Sequence, residues 1–387
     1  MVSESKKMLW AMYATSTLGQ CAAMVSGSML VLYALELGAN IFEVGLVSSA
    51  AAYINLALTI PMGVLSNRFG RVKILMLGVC SVVLSSTLGA LAQNTTMLIL
   101  ARLFDGFGWS IFMPISLTLV SDISSEQESL RRYTVFSGLG LLIGPALTTV
   151  LLWFVEIRSL FYVSLSLWLV VLAVLFLFIR GHKTSHKSVN TFAGDFGSVL
   201  RNRAVQAVIL CNAGFSFVNM TVGTYMPVLA VEALEISKQS VALLMTVRSM
   251  GMLFTRSLSG KAMDKISDRW LMMFILGDLA LAGFSIGLCS NFIQLVLVTV
   301  LQGFGWGLVF PVNATTVSKG TVISERALAN SSFMAVGNVM GIATPLIMTR
   351  VIDSFGLRTV FYLTATLPII FMIIINFLLR SNKRLKT

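Results

Sequence analysis

The residues of this sequence with chemistry to do are charges set inside apolar runs. Arg102 and Asp105 stand in the run 96–120, and Arg248 and Arg256 in the run 239–262. A charge at the centre of a bilayer costs at least about 2.5–3.5 kcal/mol on insertion scales, so each must be paired or face water. Asp105 lies one helical turn from Arg102 on the same face. It is a candidate proton-coupling or cation-binding acid; equally, it can serve as the internal partner of Arg102. Arg248 has no acid three or four residues away. Its planar fork matches carboxylate or phosphate, which makes it a candidate anion binder, with a cross-helix pair to Asp105 as the alternative. Arg256 is expected to pair with Asp278 in the run 270–289, and Arg350, near a span end, to snorkel.

Neutral polar residues extend the list of candidate substrate contacts. Asn212, Ser216, Asn219 and Gly223 fall on one face of the run 204–232. Gln20, Gln302 and Asn338 stand in the runs 9–35, 292–317 and 327–350. Trp109 and Trp306 can stack on a substrate or pack between helices. The 21 methionines provide adaptable apolar walls.

Catalytic patterns are missing. The two histidines, His182 and His186, lie in the polar stretch 181–203 and read as part of a solvated linker rather than a metal pair. No H-E-x-x-H, G-x-S-x-G or G-x-x-x-x-G-K-[ST] pattern occurs, which argues against a membrane-embedded hydrolase and against a nucleotide-driven pump. Cys21, Cys80, Cys211 and Cys289 each sit in an apolar run without metal-ligand spacing and read as small core residues. Neither a metal nor a cofactor is expected.

The elements that must position these residues follow from composition. Of 387 residues, 56% are hydrophobic and 11% charged, against about 25% charged in soluble domains. A span needs roughly 20 apolar residues, and such runs recur along the whole chain. They are continuous rather than alternating, so they read as helices. Twelve are expected, near 9–35, 42–65, 74–92, 96–120, 132–155, 159–180, 204–232, 239–262, 270–289, 292–317, 327–350 and 358–380. The first is too long for a signal-peptide core and is read as a retained span. The fold class is thus an all-α integral membrane protein with twelve transmembrane helices in two pseudo-symmetric six-helix bundles. Residues 1–180 form the first bundle, 181–203 a cytoplasmic linker and 204–387 the second.

The net charge of +12 is a matter of topology rather than of nucleic-acid binding, since no basic face is interleaved with exposed aromatics. Of the 28 lysines and arginines, only Arg158, Lys238 and Arg358 fall in one set of loops, and Arg102, Arg248, Arg256 and Arg350 fall inside spans. The rest fall in the opposite segments. By the positive-inside rule both termini are expected in the cytoplasm of a multi-pass cell-membrane protein. Asn94-Thr95-Thr96 is a weak glycosylation sequon in a short outer loop.

An internal repeat supports two halves. Asp105-Gly106-Phe107-Gly108-Trp109 matches Gln302-Gly303-Phe304-Gly305-Trp306 at an offset of 197 residues (303 − 106), with Pro114 and Pro311 following at equal spacing. The same offset carries Gly63 onto Gly260, each ahead of a basic loop. The loop Gly63-Val64-Leu65-Ser66-Asn67-Arg68-Phe69-Gly70-Arg71-Val72-Lys73 resembles the signature loop of the major facilitator superfamily, G-x-L-x-D-R-x-G-R-[RK]-[RK]. Gly63 is expected to let helix backbones approach and Gly70 to allow a tight return. The resemblance implies that the acidic position closes an inner gate. Here that position is Asn67, and the second copy keeps its acid at Asp264. Asp264 is therefore expected to hold the gate, with the start of the fifth span and Arg131 or Arg132. Gly140, Gly144 and Pro145 resemble the G-x-x-x-G-P of antiporters; they also suit close packing of the fifth span against the eighth with a proline bend.

The function expected is a secondary active transporter working by alternating access about a midplane site. Proton coupling through Asp105 is favoured over sodium coupling, with a slight lean to efflux of lipophilic compounds. An organic-anion transporter using Arg248 is the alternative, and a non-transporting membrane sensor on the same fold is the other class. The expected partners are a small-molecule substrate, protons and the lipid bilayer, with no nucleic acid, and the chain is taken as a monomer.

Overall fold

The computed structural model describes residues 2–124, 126–179, 196–322 and 325–380. The chain divides into two compact units, Met1–Ser188 and Val189–Thr387. Among the described residues there are helices and no strands.

The first unit contains α1 (Val2–Gly27), α2 (Leu30–Glu36), α3 (Ile41–Phe69), α4 (Arg71–Ala90), α5 (Thr95–Ile123), α6 (Gln127–Leu151) and α7 (Ile157–Phe178). α1 packs on α6 and α7, while α5 packs on α3 and α4. The second unit contains α8 (Phe196–Arg201), α9 (Arg203–Val228) continued by a π turn (Leu229–Ala233), α10 (Lys238–Lys265), α11 (Asp268–Leu288), α12 (Phe292–Gly320), α13 (Arg326–Phe355), α14 (Leu357–Thr364) and α15 (Thr366–Arg380). Its pairing repeats that of the first unit: α9 packs on α13 and α15, while α12 packs on α10 and α11.

Eleven helical segments among the described residues are long and apolar enough to cross a membrane. The one expected span not among them is α10, which is long enough at 28 residues but carries Arg248 and Arg256 in its interior. Two expected single spans are broken. Ser28 and Met29 separate α1 from α2 directly after Gly27, and a Gly/Ser pair is a common kink site. Pro368 removes a backbone donor and crowds the carbonyl four residues earlier, and α14 ends at Thr364. Several helices outrun the expected spans. At 29 residues α3, α5 and α12 are each about 44 Å long, against a hydrocarbon core of about 30 Å.

The helix starts carry the repeat as well. Asn94 caps α5 by accepting Met97 N–H at 2.9 Å, and Asn291, at the same 197-residue offset, caps α12 by accepting Gln294 N–H at 3.0 Å. The Asn94 of the sequon is therefore a helix cap. Gly70, at φ +97, makes the turn from α3 to α4 that its place in the loop requires.

Candidate functional site

In the second unit the sequence candidates Arg248, Asn219 and Trp306 come together. Arg248, on α10, is 6% exposed. Its Nη2 donates to Asn219 Oδ1 on α9, and its guanidinium carbon lies 4.6 Å from the Trp306 ring centroid on α12. This places the cation over the face of the indole, where the ring quadrupole attracts it. Its Nε has no acceptor, and no acid among the described residues pairs with it. The result is a buried cation between neutral partners, with donors left over.

The backbone brings these helices close. A Cβ at Gly303 would lie 3.0 Å from Met252 N and press on the Arg248 carbonyl, so α12 meets α10 backbone to backbone. Gln302, one turn before Trp306, is fully buried with neither amide atom bonded. Asn212 is turned away from this group; its Nδ2 donates to Phe333 O on α13 at 2.7 Å. Asn338 is half-buried on α13.

Asp278 and Arg256 do not form the expected pair. Asp278, on α11, is 6% exposed, and its Oδ2 accepts Gly305 N–H of α12 at 2.8 Å. Gly305 has no side chain to keep the carboxylate from the helix backbone. Arg256 is half-buried elsewhere on α10.

In the first unit Arg102 and Asp105 do pair, through Nη1 and Oδ2, with side chains 22% and 18% exposed. Arg102 Nε also donates to Val47 O on α3 at 3.3 Å. Gln20 on α1 donates to Met113 Sδ at 3.3 Å. Trp109 does not mirror Trp306: its ring packs edge-on against Phe112 and Trp168, with centroids 5.5 and 6.3 Å away. Two tryptophans equivalent by repeat thus have different neighbours.

Around the signature loop, Asn67 and Arg68 are exposed. Arg71 is buried at the start of α4 and forms an ion pair with Asp122 near the end of α5. The 197-residue offset carries Arg71 onto Asp268 and Asp122 onto Lys319, and Lys319 Nζ lies 2.8 Å from Asp268 Oδ1. The two units thus keep one ion pair at equivalent positions with the charges exchanged. Asp122, Asp268 and Lys319 were not among the sequence candidates; the offset applied to Arg71 was the signal that could have found them. Arg131 and Arg132 both pair with Glu128, at 2.9 and 3.0 Å. The side chain of Asp264 and the histidines of the linker lie outside the described residues.

Gly63 and Gly260 are not close-packing positions: a Cβ at either would meet nothing within 4 Å. Gly140 and Gly144 are, and within the first unit they meet α1. A Cβ at Gly140 would lie 2.7 Å from Gln20 Cβ, and one at Gly144 2.8 Å from Cys21 O. Pro145 sits within α6 immediately after them.

The arrangement suits binding and charge movement. Among the described residues no cluster of His, Cys, Asp and Glu could hold a metal ion. The sequence profile of the Major Facilitator Superfamily matches residues 11–237 and 208–387. The multidrug resistance protein MdtG of Proteus mirabilis is 23% identical over 320 residues, 78% of this chain and 77% of that protein. A transporter of the same superfamily type from Aspergillus terreus is 35% identical over 104 residues, 25% of this chain and 19% of that protein. The chain thus spans about a fifth of the length of that fungal relative. Among solved structures, the nucleoside transporter NupG superposes with a TM-score of 0.79 at 13% identity, covering 96% of this chain and 98% of that one.

Proposed function

Since the chain belongs to the Major Facilitator Superfamily, a family of membrane transporters, we propose that it is a secondary active transporter working by alternating access whose substrates are amphipathic organic anions. The observation that carries this reading is Arg248: a buried guanidinium stacked on Trp306, bonded to the neutral Asn219 and left with an unpaired Nε. A buried cation without a counter-charge is costly, and a carboxylate or phosphate that takes two parallel N–H bonds from the fork offsets that cost. The free amide of Gln302 supplies a neutral donor and acceptor nearby on α12. The Arg102–Asp105 pair is the candidate coupling element of the first unit. Protonation of the carboxylate would release the arginine.

A second reading has its own support. The similarity to the multidrug resistance protein MdtG over most of both chains supports an efflux reading, in which lipophilic compounds are the substrates and Asp105 the coupling acid. A thermal-shift screen of the detergent-purified protein separates the two. A ligand at 100 times its dissociation constant stabilises by about 2.7 kcal/mol when it binds only the folded state. Stabilisation by amphipathic carboxylates or phosphates that disappears in Arg248→Ala supports the anion reading. Stabilisation by lipophilic cations alone, lost in Asp105→Asn, replaces it with the efflux reading. Uptake or release of the same ligands by proteoliposomes under an imposed pH gradient separates a transporter from a sensor.

A further inference from the structure

An apolar groove on the first unit runs along α1 and the end of α7, with a cavity volume of about 820 Å³. Its floor is Ala11 and Ala14, its walls are Trp10, Val174 and Phe178, and Lys6 and Lys7 stand at one end. The small side chains of α1 leave the space. Trp10 is held in place edge-on by Tyr13 and Phe136, with centroids 5.7 Å away in each case, yet is 58% exposed. Phe178 is 51% exposed on the other side. From Lys6 to Ala14 the groove extends about 12 Å along the helix axis, from the charged tip of α1 into its apolar body.

We infer that this groove is a binding site for a single anionic phospholipid, whose headgroup phosphate rests on Lys6 and Lys7 and whose acyl chain lies on Ala11, Ala14 and Phe178. The argument is charge and shape together. The first unit exposes many large apolar side chains, but here an indentation continues directly into two exposed lysines. Arg68 and Lys73 belong to a loop that does not line the groove. An aromatic ring at each wall, one turn inside a basic end, is the pattern of residues that sit at the headgroup level of a bilayer. A zwitterionic lipid fits the groove equally well but offers the two lysines no net charge. A free phosphate offers charge but nothing for the apolar floor. The site is independent of Arg248 and of the proposed substrate.

The test is native mass spectrometry and thermal shift of the full-length protein in a neutral detergent. The probes are phosphatidylglycerol, phosphatidylcholine of the same chain length, and glycerol phosphate. Two basic residues near a lipid surface contribute about 1 kcal/mol each, so phosphatidylglycerol should be retained about thirty-fold more strongly than phosphatidylcholine, and glycerol phosphate should not bind. In the double variant Lys6→Gln, Lys7→Gln the preference should vanish while both lipids still bind; Lys6→Arg, Lys7→Arg should keep it. Ala14→Phe, which fills the floor, should weaken both lipids. Equal retention of the two lipids by the native protein, or a preference that survives the glutamine variant, overturns the proposal. Lysine variants lie on an exposed helix end, so loss of fold does not enter the comparison.

Discussion

Arg248 shows what a single residue type in the wrong solvent reveals. An arginine in an apolar run must answer for its charge, and its importance is legible from sequence for that reason. Its neighbours are not. Asn219 and Trp306 lie 29 and 58 residues away in sequence, on helices whose crossing places them around one guanidinium. The equivalent Trp109 has the same local sequence and a different role, because Phe112 and Trp168 fill the space beside it. If Arg248 binds anionic substrate through charged hydrogen bonds of about 1.5–3 kcal/mol, Arg248→Ala should weaken the affinity for the ligand by about ten- to hundredfold. Arg248→Lys should recover little of it, since a lysine can neither lie flat on Trp306 nor offer two parallel donors. Isothermal titration with the best ligand of the thermal-shift panel measures both. Asp278 illustrates the opposite limit of the sequence. Its depth suggested Arg256 as partner, but a glycine at position 305 opened the α12 backbone to it instead, and no periodicity of α11 or α12 announces that contact.

Helices carry the repeat more faithfully than side chains do. The Arg71–Asp122 pair joins the start of α4 to the end of α5, and Asp268–Lys319 joins the start of α11 to the end of α12 in the same way. What persists is the tie between helix ends; which end holds the cation does not. Exchanging the charges of the first pair should therefore be tolerated. Arg71→Asp or Asp122→Arg alone should each cost about 3 kcal/mol, because Arg71 is only 8% exposed and loses its partner in a buried setting. The double variant, which copies the order of the second unit, should recover most of that loss in a thermal melt. Breaking Asp268–Lys319 should cost at most about 1 kcal/mol, since Lys319 is 55% exposed. A second prediction belongs to α6. Gly140 and Gly144 meet α1 so closely that no side chain fits. Gly140→Leu should lower stability by about 1–3 kcal/mol through overpacking, whereas Gly63→Leu, at a position with open space, should not change the melting temperature. The glycine spacing on α6 was legible as a contact surface; that α1 is what it meets was not, because spacing specifies a face and leaves its partner open.

Across the whole molecule, the sequence conveys the number of crossings through length and apolarity, and α10 is where that signal weakens. Eleven segments among the described residues satisfy it, while α10 is polar enough to fall outside. Its place in the fold rests instead on packing: it meets α12 as α3 meets α5, and Gly303 against Arg248 repeats Gly106 against Ala51 at the same offset. Helices packed alike in equivalent units should cross alike. Labelling with a membrane-impermeant maleimide tests this. Gln93 lies between α4 and α5, and Ser290, at the 197-residue offset, lies between α11 and α12; both are exposed. Six spans separate them if α10 crosses and five if it does not, so an even count puts both on one side. Cys21, Cys211 and Cys289 are buried and Cys80 is exposed, so Cys80→Ser provides the background. In intact cells Gln93→Cys and Ser290→Cys should both react. Phe69→Cys and Ile266→Cys, beside the basic loops and 54% and 45% exposed in the native residues, should react only after permeabilisation, placing those loops in the cytoplasm. Reaction of Gln93→Cys without Ser290→Cys would mean that α10 does not span, and that the arginine at its centre is held by something other than a membrane-crossing helix.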